Sequence, residues 1–119
     1  MLAGLAGSQP ALAAAGVMFV YVGGWDCPYC TVWKNEQKAK FLASDVGKHV
    51  RIVEIDVPLL KEAYQERYWP EEMRPVLAQV PRKSGTPRFL VVKNGKLIAN
   101  AFGNNEWPRA VEAMRKALG

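Results

Sequence analysis

The chain has 119 residues, half of them apolar, and a formal net charge of +5. This length gives room for one domain with its own core, and this composition excludes a disordered chain. No apolar run approaches the ~20 residues needed to cross a bilayer, and aromatics are not interleaved with basic runs as on a nucleic-acid surface.

Residues 1–16 stand apart: they carry no charge, and Ala, Gly and Leu dominate around Pro10. Ala11-Leu12-Ala13, followed by Ala14, fits the small-x-small site of a signal peptidase, while the basic start of a signal peptide is missing. An export-signal remnant, a surface helix and cloning-derived residues all fit this segment. The expected division is an Ala/Gly-rich segment, 1–16, and a domain, 17–119. The expected location is periplasmic or otherwise exported, with the cytoplasm as the alternative.

Val17 to Val22 is an uninterrupted apolar, β-favouring run and reads as a buried strand. Gly23-Gly24 breaks it. Trp25-Asp26-Cys27-Pro28-Tyr29-Cys30 follows and holds both cysteines of the chain. The C-x-x-C spacing suits a small disulfide ring or a metal, so it does not decide between them. The surroundings add that Thr31 to Ala43 reads as a helix, which puts Cys27 where a loop enters it. Unpaired N–H groups and the positive end of the helix dipole stabilise a thiolate there. Cys30, one turn in, is the expected resolving thiol, and Pro28 suits a first helical turn. A zinc site would need two further good ligands, and the single histidine, His49, is read as a surface or packing residue.

Val32, Ala39, Leu42, Ala43 and Val46 recur at helical spacing and are expected to face a sheet, with Lys34, Lys38 and Lys40 in solvent. Val50 to Val57 reads as the second strand, parallel to the first in a βαβ unit. Within Pro58 to Ser84, the spacing of Leu59, Leu60, Ala63, Tyr64 and Tyr68 predicts an amphipathic helix ending before Pro70. Met73, Val76, Leu77 and Val80 predict a second, shorter helix that Pro75 would break or kink. This excursion reads as a cover over the sheet rather than a substrate-facing cap. Phe89 to Val92 and Leu97 to Ala101 flank Asn94-Gly95, a signal for a tight hairpin with positive φ at both central residues. Trp107, Ala110, Val111, Met114 and Leu118 then share one face of a closing helix, with Asn105 as candidate cap. The order predicts an α/β fold: a central, mixed four-stranded sheet with helices on both sides.

These motifs resemble those of the thioredoxin-fold thiol–disulfide oxidoreductases. The likeness runs from Val17 to Leu118 and rests on the Cys27–Cys30 segment after a strand, Thr86-Pro87, Lys93-Asn94-Gly95-Lys96 and Gly103. Cys-Pro-Tyr-Cys is similar to the tetrapeptide of dithiol glutaredoxins; Trp25, the excursion and the Ala-rich start are more similar to small periplasmic thioredoxins. The resemblance implies a cis bond at Pro87, facing the cysteines, with Thr86 free to pair with a substrate strand. It further implies catalysis by Cys27 and Cys30, with Trp25, Pro28, Tyr29, Thr86 and Pro87 in support, and no metal or cofactor beyond the dithiol, glutathione being a candidate co-substrate. Implied partners are protein disulfides or thiols and an upstream reductant, met by a monomer without nucleic acid or a membrane span. A glutathione-linked reductase, a binding module and a metal site are the alternatives. One departure is Tyr21, where thioredoxins carry a buried Asp that helps the resolving thiol lose its proton; that aid is then absent or supplied by another group such as Glu54. Arg82, Lys83 and Arg88 are read mainly as solvated loop charges, although they would add positive potential near Cys27.

Overall fold

The computed structural model describes residues 16–119; residues 1–15, and with them nearly all of the segment read as a signal remnant or surface helix, lie outside the described residues. Strand β1 (Val17–Gly24) is the centre of a mixed sheet whose order is β2-β1-β3-β4 among the described residues. It pairs in parallel with β2 (Arg51–Val57) and antiparallel with β3 (Arg88–Lys93), which pairs antiparallel with β4 (Lys96–Phe102). The expected βαβ unit and hairpin are both present. Asn94 (φ 50°) and Gly95 (φ 84°) supply the two positive-φ positions of the tight turn.

The unbroken apolar run of β1 follows from burial on both faces. Val17, Phe19 and Tyr21 point into one core with Trp33, Phe41, Phe89, Trp107 and Met114. Val20 and Val22 point into the other, with Trp69, Met73, Val76, Leu77 and Leu90. The first core is an aromatic knot: Phe19 meets Phe41 edge-on at 5.3 Å, and Trp33 meets Trp107 in the same way at 5.2 Å.

The helical layer departs from expectation in phase. Helix α1 (Pro28–Trp33) runs through a π-helical turn (Lys34–Lys38) into α2 (Ala39–Ala43), and α3 (Asp45–His49) follows after Ser44. Trp33, before this turn, and Phe41, after it, are buried against the sheet. Val32, Ala39, Leu42 and Ala43, expected to face it, are exposed instead, and Val46 is half-buried. His49 is exposed, its ring nitrogen bonded to the Asp45 carbonyl at 2.8 Å.

The excursion is not the expected helix. It folds as 3-10 turns at Leu60–Glu62 and Glu66–Tyr68, separated by extended Gln65. A spacing of three suits a 3-10 turn as well as an α-helix, and Trp69, extended before Pro70, closes the segment. Trp69 is buried and donates its indole N–H to the Ala63 carbonyl at 2.8 Å, which folds the segment back on itself. Pro75 starts a helix rather than breaking one: α4 (Arg74–Gln79) follows a 3-10 turn at Glu71–Met73, with Pro75 in its first turn. Helix α5 (Trp107–Leu118) buries Trp107, Ala110 and Met114. Asn105 does not cap it, because a 3-10 turn at Asn104–Glu106 precedes the helix and Glu106 occupies the cap position without a capping side-chain bond.

Candidate active site

Gly23-Gly24 ends β1, and the Trp25 N–H donates to the Val57 carbonyl at 2.8 Å, fixing the loop against the end of β2. Asp26 accepts the Leu60 N–H at 2.8 Å, which ties the same loop to the excursion. Cys27 then caps α1 in extended conformation (φ −108°, ψ 104°), with Pro28 in the first turn. Its Sγ accepts the Cys30 N–H at 3.1 Å. The two cysteines form a disulfide with Cα atoms 5.1 Å apart. The helix start thus directs an N–H and the positive end of its dipole at the sulfur that would carry charge.

A second donor comes from the loop before β3. The Thr86 hydroxyl donates to Cys27 Sγ at 3.3 Å. The Thr86–Pro87 peptide is cis, and Pro87 is buried. The β3 ladder begins at Arg88, so Thr86 lies outside it, while the Pro87 carbonyl accepts the Gly103 N–H at 3.0 Å. Tyr64 braces this loop from the excursion by donating its hydroxyl to the Gly85 carbonyl at 2.8 Å. Asn104 braces the other flank, donating its amide to the Tyr29 carbonyl at 3.1 Å. Tyr64 and Asn104 escaped the sequence reading because neither belongs to a local motif.

Cys27 is 2% exposed and Cys30 fully buried, whereas Trp25 and Tyr29 beside them are 67% and 68% exposed. A groove of about 280 Å³ lies against this rim, lined by Tyr29, Thr86, Pro87, Phe102, Gly103 and the two asparagines that follow. It offers apolar surface and a strand end at the edge of the disulfide. Of the residues singled out from the sequence, Tyr29, Thr86 and Pro87 line this groove, Trp25 is exposed, and Cys27 is reached from it through the Thr86 hydroxyl, while Cys30 is buried behind.

The nearby basic side chains are engaged in shaping the loop. Arg88 bonds the Ser84 carbonyl and the Asn100 side chain and stacks on Phe102, its guanidinium 4.7 Å from the ring centre. Lys83 donates to the Val80 carbonyl at 2.8 Å. Tyr21 is fully buried and stacked on Trp33 at 4.8 Å. Burial, then the Asp56 and Glu54 carboxylates, raise its hydroxyl well above the ordinary phenol range, so it stays neutral. Glu54, one alternative for the missing Asp, is an exposed partner of Lys38 at 3.0 Å. Lys34 is not simply solvated: it pairs with Asp56 at 2.5 Å. Among the described residues no group of three His, Cys, Asp or Glu could hold a metal ion.

No family model and no curated protein matches the sequence. Solved structures do match. The periplasmic thioredoxin SoxS from Paracoccus pantotrophus aligns with a TM-score of 0.59 at 17% identity, over 85% of this chain and 98% of its own. A thioredoxin from Malassezia sympodialis aligns at 0.58 and 15% identity, over 91% of this chain and 85% of its own. The DsbH oxidoreductase aligns at 0.54 and 21% identity, over 89% and 79% respectively. With the sheet order, the cysteine pair at the start of α1 and the Thr86–Pro87 cis peptide whose threonine touches it, the chain has the thioredoxin fold.

Proposed function

We propose that this chain is a thiol–disulfide oxidoreductase that cycles Cys27 and Cys30 between dithiol and disulfide. The observation carrying this reading is the position of Cys27 Sγ, held between the Cys30 N–H and the hydroxyl of Thr86, a residue that lines an apolar groove. Two donors aimed at one sulfur stabilise an attacking or leaving thiolate. In the reducing direction, the Cys27 thiolate attacks a substrate sulfur and releases its partner as a thiol. Cys30 then attacks Cys27 in the mixed disulfide, closing the enzyme's disulfide and freeing the second substrate thiol. The substrate gains two electrons and the dithiol loses them; an upstream reductant restores it.

Protein disulfides are the substrates this reading favours, because the groove adjoins a strand end that an extended chain could pair with. Trp25 and Tyr29 form its apolar rim, and residues 17–119 act as one monomeric unit. We place the protein in an exported compartment. The uncharged, small-residue start and the likeness to a periplasmic thioredoxin support this. The test is turnover: with dithiothreitol as reductant, the full chain accelerates reduction of a protein disulfide and Cys27→Ser does not. Equal rates with and without the chain would overturn the reading.

A further inference from the structure

The charge of this chain is sorted along its length. Residues 73–105 contain six Lys and Arg and no Asp or Glu, whereas the rest of the chain carries ten basic and eleven acidic side chains. Every ion pair among the described residues lies outside that stretch. The stretch runs through α4, the loop with the cis proline and the β3–β4 hairpin. Arg82 and Lys83, both exposed, precede Thr86-Pro87, and half-buried Arg88 follows it. Positive charge without an internal counter-charge therefore flanks the loop that touches Cys27.

A second hollow, also of about 280 Å³, lies between the chain after α4 and the strand β4, with Pro81, Ile98 and Asn100 in its lining. Arg88 joins it to the groove at the disulfide. Its guanidinium donates to the Asn100 side chain at 3.3 Å and stacks on Phe102, which lines that groove. Ile98 and Phe102 are 44% and 50% exposed. Side chains already occupy the backbone edge of β4. The Leu97 N–H donates to Gln79 at 2.8 Å, the Phe102 N–H donates to Glu106 at 2.7 Å, and the Asn100 carbonyl accepts from Arg109 at 3.1 Å. A partner lying along β4 is thus held by apolar contact and charge rather than by strand addition.

We propose that the two hollows form one track for the protein substrate, and that the substrate segment next to its disulfide is acidic. This rests on the redox reading above. Apolar side chains of the segment cover Phe102 and Ile98, and its carboxylates face Arg82 and Lys83. A second copy of this chain, meeting the track face to face, would bring the same excess of positive charge. A nucleic acid has the complementary charge but no disulfide for the site to reduce.

The test is steady-state reduction of three synthetic peptides by the full chain, with dithiothreitol as reductant. Each peptide has one internal disulfide, flanked on both sides by a run of Glu, of Gln or of Lys. At low ionic strength the Glu peptide should have a KM at least about threefold below that of the Gln peptide, the scale of a few exposed charge pairs. The Lys peptide should have the highest KM. Salt at about 0.5 M should bring the three together by screening. The double variant Arg82→Glu, Lys83→Glu should raise KM for the Glu peptide and lower it for the Lys peptide. Ile98→Glu should also raise KM for the Glu peptide, and it serves if the double variant fails to fold. Equal KM values for the three peptides at low salt, or the wild-type order in the folded variants, would overturn the acidic partner. Salt-sensitive binding of a single-stranded oligonucleotide, with no preference among the peptides, would assign the charge to nucleic acid instead. A wild-type chain that reduces none of the peptides would overturn the redox reading itself, on which the proposal depends.

Discussion

The Thr86 hydroxyl and the Cys27 sulfur, 59 positions apart in sequence, meet at 3.3 Å. The contact joins the loop before β3 to the start of α1, so the sulfur's environment depends on the packing of the whole sheet. Thr86→Val keeps the shape and removes the donor. With a hydrogen bond of about 1 kcal/mol at stake, alkylation of reduced Cys27 at neutral pH should slow roughly fivefold. An unchanged rate would remove Thr86 from the site.

Tyr64 tests whether the excursion supports that loop. Tyr64→Phe deletes the bond to the Gly85 carbonyl and should cost about 0.5–1.5 kcal/mol in denaturant unfolding. It should also slow Cys27 alkylation, since Gly85 adjoins Thr86. Lost stability with full reactivity would mean that the excursion only covers the sheet.

Much of this was legible in the sequence, because local signals agreed with the global fold. The apolar run of β1, the Asn94-Gly95 turn and the apolar face of α5 each specify their element without outside help. The π turn was not legible. Nor was the buried face of these helices, where Trp33 and Phe41 take the places expected of Val32 and Leu42. The Lys34–Asp56 pair was missed for a different reason. It depends on the register between β1 and β2 and on how far the helix lies over them. Reading Lys34 as a solvated charge followed from the wrong helix phase.

Glu106 gives a pH-dependent prediction. Its carboxylate accepts the Phe102 N–H and pairs with Arg109, and these contacts lower its titration range below that of the unfolded chain. A lowered folded-state value contributes stability above the unfolded carboxylate range, which is lost as pH falls through the folded range. Glu106→Gln should therefore be less stable than the wild type near pH 7, with the gap closing in acid. A gap independent of pH would assign the effect to packing.

The redox potential follows from the residues between and behind the cysteines. Pro28-Tyr29 lacks the histidine of strongly oxidising pairs, and Tyr21 removes the buried negative charge that opposes a thiolate. The potential should lie between about −270 mV, as in thioredoxin, and about −120 mV, as in DsbA, close to the roughly −200 to −230 mV of glutaredoxins. Equilibration with glutathione buffers measures it. A value at either extreme would show that the dipeptide does not set the poise.

The central claim is that Cys27 attacks and Cys30 resolves, and trapping tests it most directly. Reduced Cys30→Ser, mixed with a disulfide-bonded protein and analysed by mass spectrometry after alkylation, should accumulate a mixed disulfide on Cys27, whereas Cys27→Ser should accumulate almost none. Equal trapping by both variants, or trapping on Cys30 alone, would contradict the account.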